Sequence, residues 1–203
     1  MRIGREYFPL ETGLFRIYDV TEQRFSLNGP PTTHTYQLRE LISQSYDDPS
    51  IGTSFRVERT RRANDLDNWQ PDSARTVRLW EDQLIQTENN IPYVKLIFPV
   101  MPQKWDGNAY NALGEDEYQL RHTGQPLTVL NQSFAETATV VQQNDSTLVN
   151  QDKRLEVYAR NVGLIYKETV QLQFCSASPA CVGKAQIDYG FRQYLRLRSY
   201  GKL

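Results

Sequence analysis

From Leu164 to Phe174 the chain alternates, with Leu164, Tyr166, Val170, Leu172 and Phe174 on one parity and Lys167, Thr169, Gln171 and Gln173 on the other, broken only by Ile165 and Glu168. A period of two fits a strand, whose successive side chains leave on opposite faces, and no helix. The stretch from Tyr189 to Arg198 repeats the pattern, sending Tyr189, Phe191, Leu195 and Leu197 one way and Arg192, Tyr194, Arg196 and Arg198 the other. One dry and one wet face is the pattern of an antiparallel sheet, so the two segments predict a C-terminal hairpin. Further strands are read at 15–20, 33–42, 55–61, 75–80, 83–87, 93–98, 128–132, 138–143 and 154–158. Turn formers separate them, among them Asn28-Gly29-Pro30-Pro31, Asp47-Asp48-Pro49, Glu88-Asn89-Asn90, Gly124-Gln125-Pro126 and Asn144-Asp145-Ser146. The fold class that follows is mainly β: an antiparallel, strongly curved sheet, half-barrel or barrel of about 9–12 strands. One or two short helices are expected within 65–75 or 111–118, where Asn or Asp can cap and acidic residues follow.

At 203 residues with no linker or composition break, the expectation is a single domain over 1–203. Twelve Tyr, eight Phe and three Trp supply the buried area that a 39% apolar composition otherwise lacks. A net charge of −1 gives no long-range field for nucleic acid, and no apolar run approaches the ~18 residues of a membrane-spanning helix. Cys175 and Cys181 flank a small-residue loop between the last two strands, a spacing that predicts a disulfide across the hairpin. That bond would imply an oxidising compartment. No signal-length hydrophobic segment follows Met1-Arg2-Ile3-Gly4, which leaves a cytosolic protein or one whose export segment lies ahead of this sequence.

Catalytic signatures are scarce. His34 and His122 read as loop or strand-end residues, and no nucleophile elbow, zinc-binding helix, phosphate loop or dinucleotide fingerprint occurs. No catalytic residue, metal site or cofactor is therefore assigned. Glu115-Asp116-Glu117 and Asp47-Asp48 are the carboxylate-rich spots that a glycosidase or calcium site would draw on, and both read first as solvated loops. The basic run from Arg56 to Arg62 reads as a solvated strand face diluted by Glu58, Asp65 and Asp67. Asp72-Ser73-Ala74 and Asp145-Ser146-Thr147 have the form of O-glycosylation acceptors. Trp69, Trp80 and Trp105 are the candidate ligand-binding residues, since aromatics would line a cavity in a curved sheet. Core packing is the competing reading for all three.

Tyr7-Phe8-Pro9-Leu10, leading through Gly13 to Tyr18 and Val20, is echoed by Leu96-Ile97-Phe98-Pro99-Val100, leading to Trp105-Asp106-Gly107-Asn108. A third segment, Glu156-x-Tyr158-Ala159-x-x-Val162-Gly163-Leu164-x-Tyr166-Lys167-Glu168, completes a set that spans nearly the whole chain. With these segments the chain resembles a family of uncharacterised bacterial exported lipoproteins. Arg16 stands where that family usually carries Trp, which leaves the facing of the first strand open. The resemblance implies a mainly β body and an exported location, in the periplasm or at the outer-membrane surface, with a lipid anchor preceding this sequence. It implies no activity.

The functional expectation is non-catalytic binding of an apolar ligand, a glycan or an envelope protein, with membrane contact only through the anchor. A carboxylate-dependent glycan hydrolase and a structural or adhesive surface protein are the alternatives.

Overall fold

In the computed structural model the described residues are 4–27, 29–50 and 52–203; Met1-Arg2-Ile3, Asn28 and Ile51 fall outside them. Among these residues the chain forms twelve strands: β1 (Leu14–Ser26), β2 (Gly29–Asp48), β3 (Gly52–Arg62), β4 (Gln70–Trp80), β5 (Gln83–Glu88), β6 (Ile91–Ile97), β7 (Gln103–Asp106), β8 (Glu117–Val129), β9 (Gln132–Ser146), β10 (Asn150–Ala159), β11 (Gly163–Phe174) and β12 (Ile187–Lys202). All belong to one antiparallel sheet ordered β6-β5-β4-β3-β2-β1-β12-β11-β10-β9-β8-β7. Every neighbour is also a neighbour in sequence, except that β1 pairs with β12 and joins the two ends of the chain. The result is an up-and-down meander bent into a nearly closed barrel.

The seam lies between β6 and β7, the two edges of the sheet. There the Val94 N–H donates to the Gly107 carbonyl at 2.9 Å, and the Trp105 indole N–H donates to the Val94 carbonyl at 2.8 Å. Both backbone groups of an edge residue, which would otherwise be left without a partner inside the fold, are thus satisfied across the gap.

Meander topology puts alternate turns at opposite ends. One end is stoppered by the N-terminal segment: a 3-10 turn at Arg5–Tyr7 leads to Phe8, and both Tyr7 and Phe8 are buried. The Asn161 N–H donates to the Glu6 carbonyl at 2.7 Å, and Phe8 packs at 6.0 Å from the Tyr158 ring. The two echoing Phe-Pro segments meet here, in one cluster with Phe98, Tyr158, Leu84 and Leu96. Gly4 sits so close to Val100 that a Cβ would lie 2.6 Å from it. Arg16 faces inward, 4% exposed, with its guanidinium 5.3 Å from the Phe8 ring and its Nε donating to the Val162 carbonyl. Position 16, whose facing the sequence left open, is thus a core position, filled by an arginine whose planar head stacks as an aromatic would.

Neither expected helix forms. Asn64 closes a turn by accepting from the Leu66 N–H at 2.9 Å, and β4 starts at Gln70. Asn111 likewise accepts from the Leu113 N–H at 2.9 Å ahead of Gly114. Asn side chains that bond their own backbone favour turns over helix starts. The segment 128–132, expected as one strand, is instead the end of β8, the turn at Leu130 and Asn131, and the first residue of β9. Strands β7 and β8 escaped the sequence reading because β8 contains Gly124, Pro126 and a left-handed His122 (φ 52°), with register shifts on both sides of Gln125.

The disulfide is present: Cys175 and Cys181 are bonded across the β11–β12 loop. A loop this short constrains the unfolded chain modestly, so a Cys175→Ser/Cys181→Ser protein is expected to lose about 2 kcal/mol. Paired thermal melts of the variant and wild type read this directly.

Candidate functional site

Seven strands send charged groups into the barrel interior. Glu156 (β10) accepts from Lys95 Nζ (β6) at 2.6 Å and from the Tyr158 hydroxyl at 2.6 Å, with Lys167 Nζ (β11) at 3.2 Å. Lys95 lies 3.9 Å from Glu88 (β5), which pairs with Arg75 (β4) at 2.8 Å. Arg75 reaches Glu40 (β2) at 3.4 Å, and Glu40 holds Arg59 (β3) at 3.2 Å. Local irregularities aim these groups. Leu84 pairs with Leu96 but Ile85 pairs with Val94, so Lys95 is the extra residue of a bulge, a device that re-aims a side chain.

The electrostatics hold Glu156, Lys95 and Glu88 in their charged states. Burial alone would raise the Glu156 carboxyl, but Lys95, Lys167 and the two hydrogen bonds hold it well below the usual carboxylate range. Burial likewise opposes the Lys95 ammonium, and Glu156 and Glu88 outweigh it, raising Lys95 above its ordinary value. Glu88, also raised by burial, is pulled down to about 2 by Lys95, Lys167 and Arg75. Lys167 alone among these four is shifted against its charged form, lowered because burial there exceeds the attraction of Glu156. The Glu156 side chain is 2% exposed. Alternating signs in contact make this a self-compensated layer.

Outward from that layer, away from the N-terminal stopper, the inward faces open into a polar mouth. Cross-strand pairing fixes which residues share it. Glu156 and Lys167 pair, so two and four residues on lie the rows Arg154–Thr169–Gln193–Glu22 and Asp152–Gln171–Phe191–Arg24. The last described row is Asn150–Gln173–Tyr189. Two grooves occupy this surface. One, of about 630 Å³, runs over β1–β4 and is lined by Glu22, Arg24, His34, Tyr36 and Arg61. The other, of about 370 Å³, runs over β10–β12 and is lined by Asn150, Asp152, Gln171, Gln173, Tyr189 and Phe191. Arg24, in the first, lies 5.9 Å above the Phe191 ring of the second, which joins them. Gly190 sits between the two aromatic residues at φ 127°, and a Cβ there would lie 2.1 Å from the Gln171 carbonyl. Gly190→Ala is expected to cost about 1–3 kcal/mol, since it imposes both strain and a backbone clash. Chemical denaturation with unchanged m-value would register it.

The tryptophans take three different places. Trp105 is buried at the seam, edge-on to Tyr118 at 6.0 Å. Trp80 packs on the same cluster at the stoppered end. Trp69 is stacked between the Arg39 and Arg62 guanidiniums, 4.9 and 4.4 Å from its ring centre. None of the three lines either groove of the mouth.

The basic run is dispersed into ion pairs, Arg56 with Glu58, Arg59 with Glu40 and Asp72, and Arg62 with Asp65. Asp116 and Glu117 are taken up by Arg154 and Lys104. Ser73 donates to Asp72, while Ser146 stays exposed at the end of β9. His34 lines the mouth. The mouth itself was missed from sequence because its residues are ordinary polar ones scattered over seven strands; the signal that carried it was the polar parity of β11.

No protein-family model matches the chain, and no curated protein does. Among solved structures it is similar to a candidate exported protein with a YmcC-like fold from Bacteroides fragilis NCTC 9343. That match has a TM-score of 0.53 and 13% identity over 96% of this chain and 98% of that one. The fold is YmcC-like. A candidate lipoprotein from Parabacteroides distasonis ATCC 8503 aligns at a TM-score of 0.47 and 12% identity, with the same coverage. At such identities the YmcC-like likeness speaks for the path of the backbone, and the mouth residues are read from this chain alone.

Proposed function

We propose that the chain is an exported cell-envelope protein that binds a polar ligand in the barrel mouth without turning it over. The observation that carries this reading is the contrast between the two polar regions. The interior carboxylates and ammoniums are buried and hold one another charged, whereas a catalytic acid or base must exchange its proton near the working pH. The mouth offers amides, aromatics and charged groups that a ligand can reach. The filled interior favours a polar ligand over an apolar one, because aliphatic and aromatic side chains and the charge layer occupy the space that a buried acyl chain would need.

Export is supported by the sequence resemblance, by the disulfide, and by the shared fold with a protein described as exported. The N-terminal segment stoppers the end opposite the mouth. A lipid anchor ahead of it would hold that end toward the membrane and leave the mouth facing away.

The test combines two assays on the full chain: native mass spectrometry of protein isolated from its own envelope, and a screen of chromogenic glycosides and esters across about pH 5–8. Retained polar material without saturable hydrolysis is the expected result. Saturable hydrolysis abolished by a single Asp or Glu substitution would overturn the reading.

A further inference from the structure

We infer that the groove between β10, β11 and β12 binds a short neutral glycan, stacked on Tyr189 and flanked by the Gln171 and Gln173 amides; this rests on the binding reading above. A sugar presents two kinds of surface. Its hydroxyls both donate and accept, and a planar amide, with an acceptor oxygen and a donor NH2 side by side, matches a pair of them. Its C–H face is apolar and flat, and an aromatic ring offers a flat apolar platform with a negative face.

The groove holds both. Asn150, Gln173 and Tyr189 form one cross-strand row, and Asp152, Gln171 and Phe191 form the next. Tyr189 is 53% exposed, which is unusual for an aromatic residue inside a concave surface. The Gln193 amide one row deeper is spent on Glu22 at 3.2 Å. Those of Gln171 and Gln173 have no partner among the described residues. Gly190 keeps β12 close against Gln171, so the tyrosine and the glutamines are held on a fixed backbone.

Charge narrows the class further. The lining includes the Asp152 carboxylate and no cationic side chain. Arg154 lies 3.2 Å from Asp152, but its other nitrogens are turned to Asp116. Arg24, which reaches the Phe191 ring from the neighbouring groove, is paired with Glu22 at 2.7 Å. An acidic sugar would thus meet a carboxylate with the nearby cations already engaged, and an acyl chain would bury amides without partners. A neutral oligosaccharide meets neither cost. The groove volume of about 370 Å³ falls in the ~300–1,000 Å³ range of ligand sites. A longer chain can continue over Arg24 toward Tyr36 and His34.

The experiment is isothermal titration of the full chain with a panel of neutral tri- and tetrasaccharides of hexoses and N-acetylhexosamines, each beside its uronate-containing counterpart. At least one neutral member is expected to bind, and its uronate counterpart to bind more weakly. Tyr189→Ala and Gln171→Ala should each weaken binding by about tenfold or more, with unchanged melting curves because both side chains are exposed. Leu66→Ser, on an exposed loop outside the groove, should leave binding unchanged. Absence of binding by every neutral member, or binding indifferent to Tyr189→Ala, overturns the glycan assignment. A lipid or peptide retained from the envelope and unaffected by Tyr189→Ala would do the same while leaving the binding reading intact. Saturable hydrolysis would instead remove that reading itself.

Discussion

Trp105→Ala is expected to destabilise the protein by about 3–5 kcal/mol, the usual cost of removing a large buried aromatic side chain. The side chain is 8% exposed and packs edge-on to Tyr118 in the larger hydrophobic cluster. Its loss also removes the hydrogen bond to the Val94 carbonyl, leaving that edge group to find water. The effect should be directional, because the same residue clasps the seam between β6 and β7. Hydrogen exchange should accelerate first at the Val94 amide, bonded to Gly107 across the gap, and later in the β1–β12 pairing on the opposite wall. A variant that melts at the wild-type temperature would mean the seam is held by something other than this indole.

Glu156→Ala is expected to cost as much, about 3–5 kcal/mol, through a different mechanism: it leaves buried Lys95 without its closest counter-charge. Lys95 would retain only Glu88 at 3.9 Å, and Lys167 would lose its partner as well. Removing the pair together should be far milder, so Lys95→Met/Glu156→Leu should recover much of the loss, as apolar replacement of buried ion pairs often does. Denaturant unfolding of the single and double variants separates the two cases.

The pH dependence follows from the same groups. The Glu88 carboxyl is held at about 2 against an ordinary 4.5, and Glu156 is lowered further, so both contribute fully above about pH 4.5. Their contribution is lost as the pH falls through the folded values, toward about 2 and below. Lys95 is raised from 10.5, so its contribution is complete below that value and is lost only as the pH rises through the folded one. Lys167, lowered by burial, runs the other way and charges the fold a cost that disappears once it deprotonates. Urea unfolding between neutral pH and pH 3 should therefore show falling stability in the wild type, and a shallower fall in the Lys95→Met/Glu156→Leu variant.

Strand positions were legible where side-chain period and turn chemistry agreed. The C-terminal hairpin, the Phe-Pro segments and the disulfide loop all follow from short-range pattern, and the pairing of Tyr166 with Arg196 and Gln171 with Phe191 confirms the hairpin. Facing was harder to read. The polar parity of β11, Lys167 through Gln173, invites a solvated outer wall, yet it points inward because the inside of this barrel is a charge layer that opens into a wet mouth. Only pairing across the sheet reveals that, since Glu156, Lys95 and Glu40 are far apart in sequence and singly unremarkable. Tyr7, Phe8, Trp105 and Tyr158, which the three aromatic segments single out as anchors, are buried, while Tyr166 is only partly so; nothing local in the chain marks Tyr189 as open to solvent.

The claim that ligand enters at the mouth is tested most directly by amide chemical-shift mapping of isotope-labelled protein titrated with the neutral oligosaccharide panel. The account predicts shifts centred on Gln171, Gln173, Tyr189 and Phe191, fading toward Glu156. Shifts centred instead on the groove beside the stopper, at Arg5, Phe8, Leu10 and Phe55, or no shift anywhere with the panel in large excess, would contradict it.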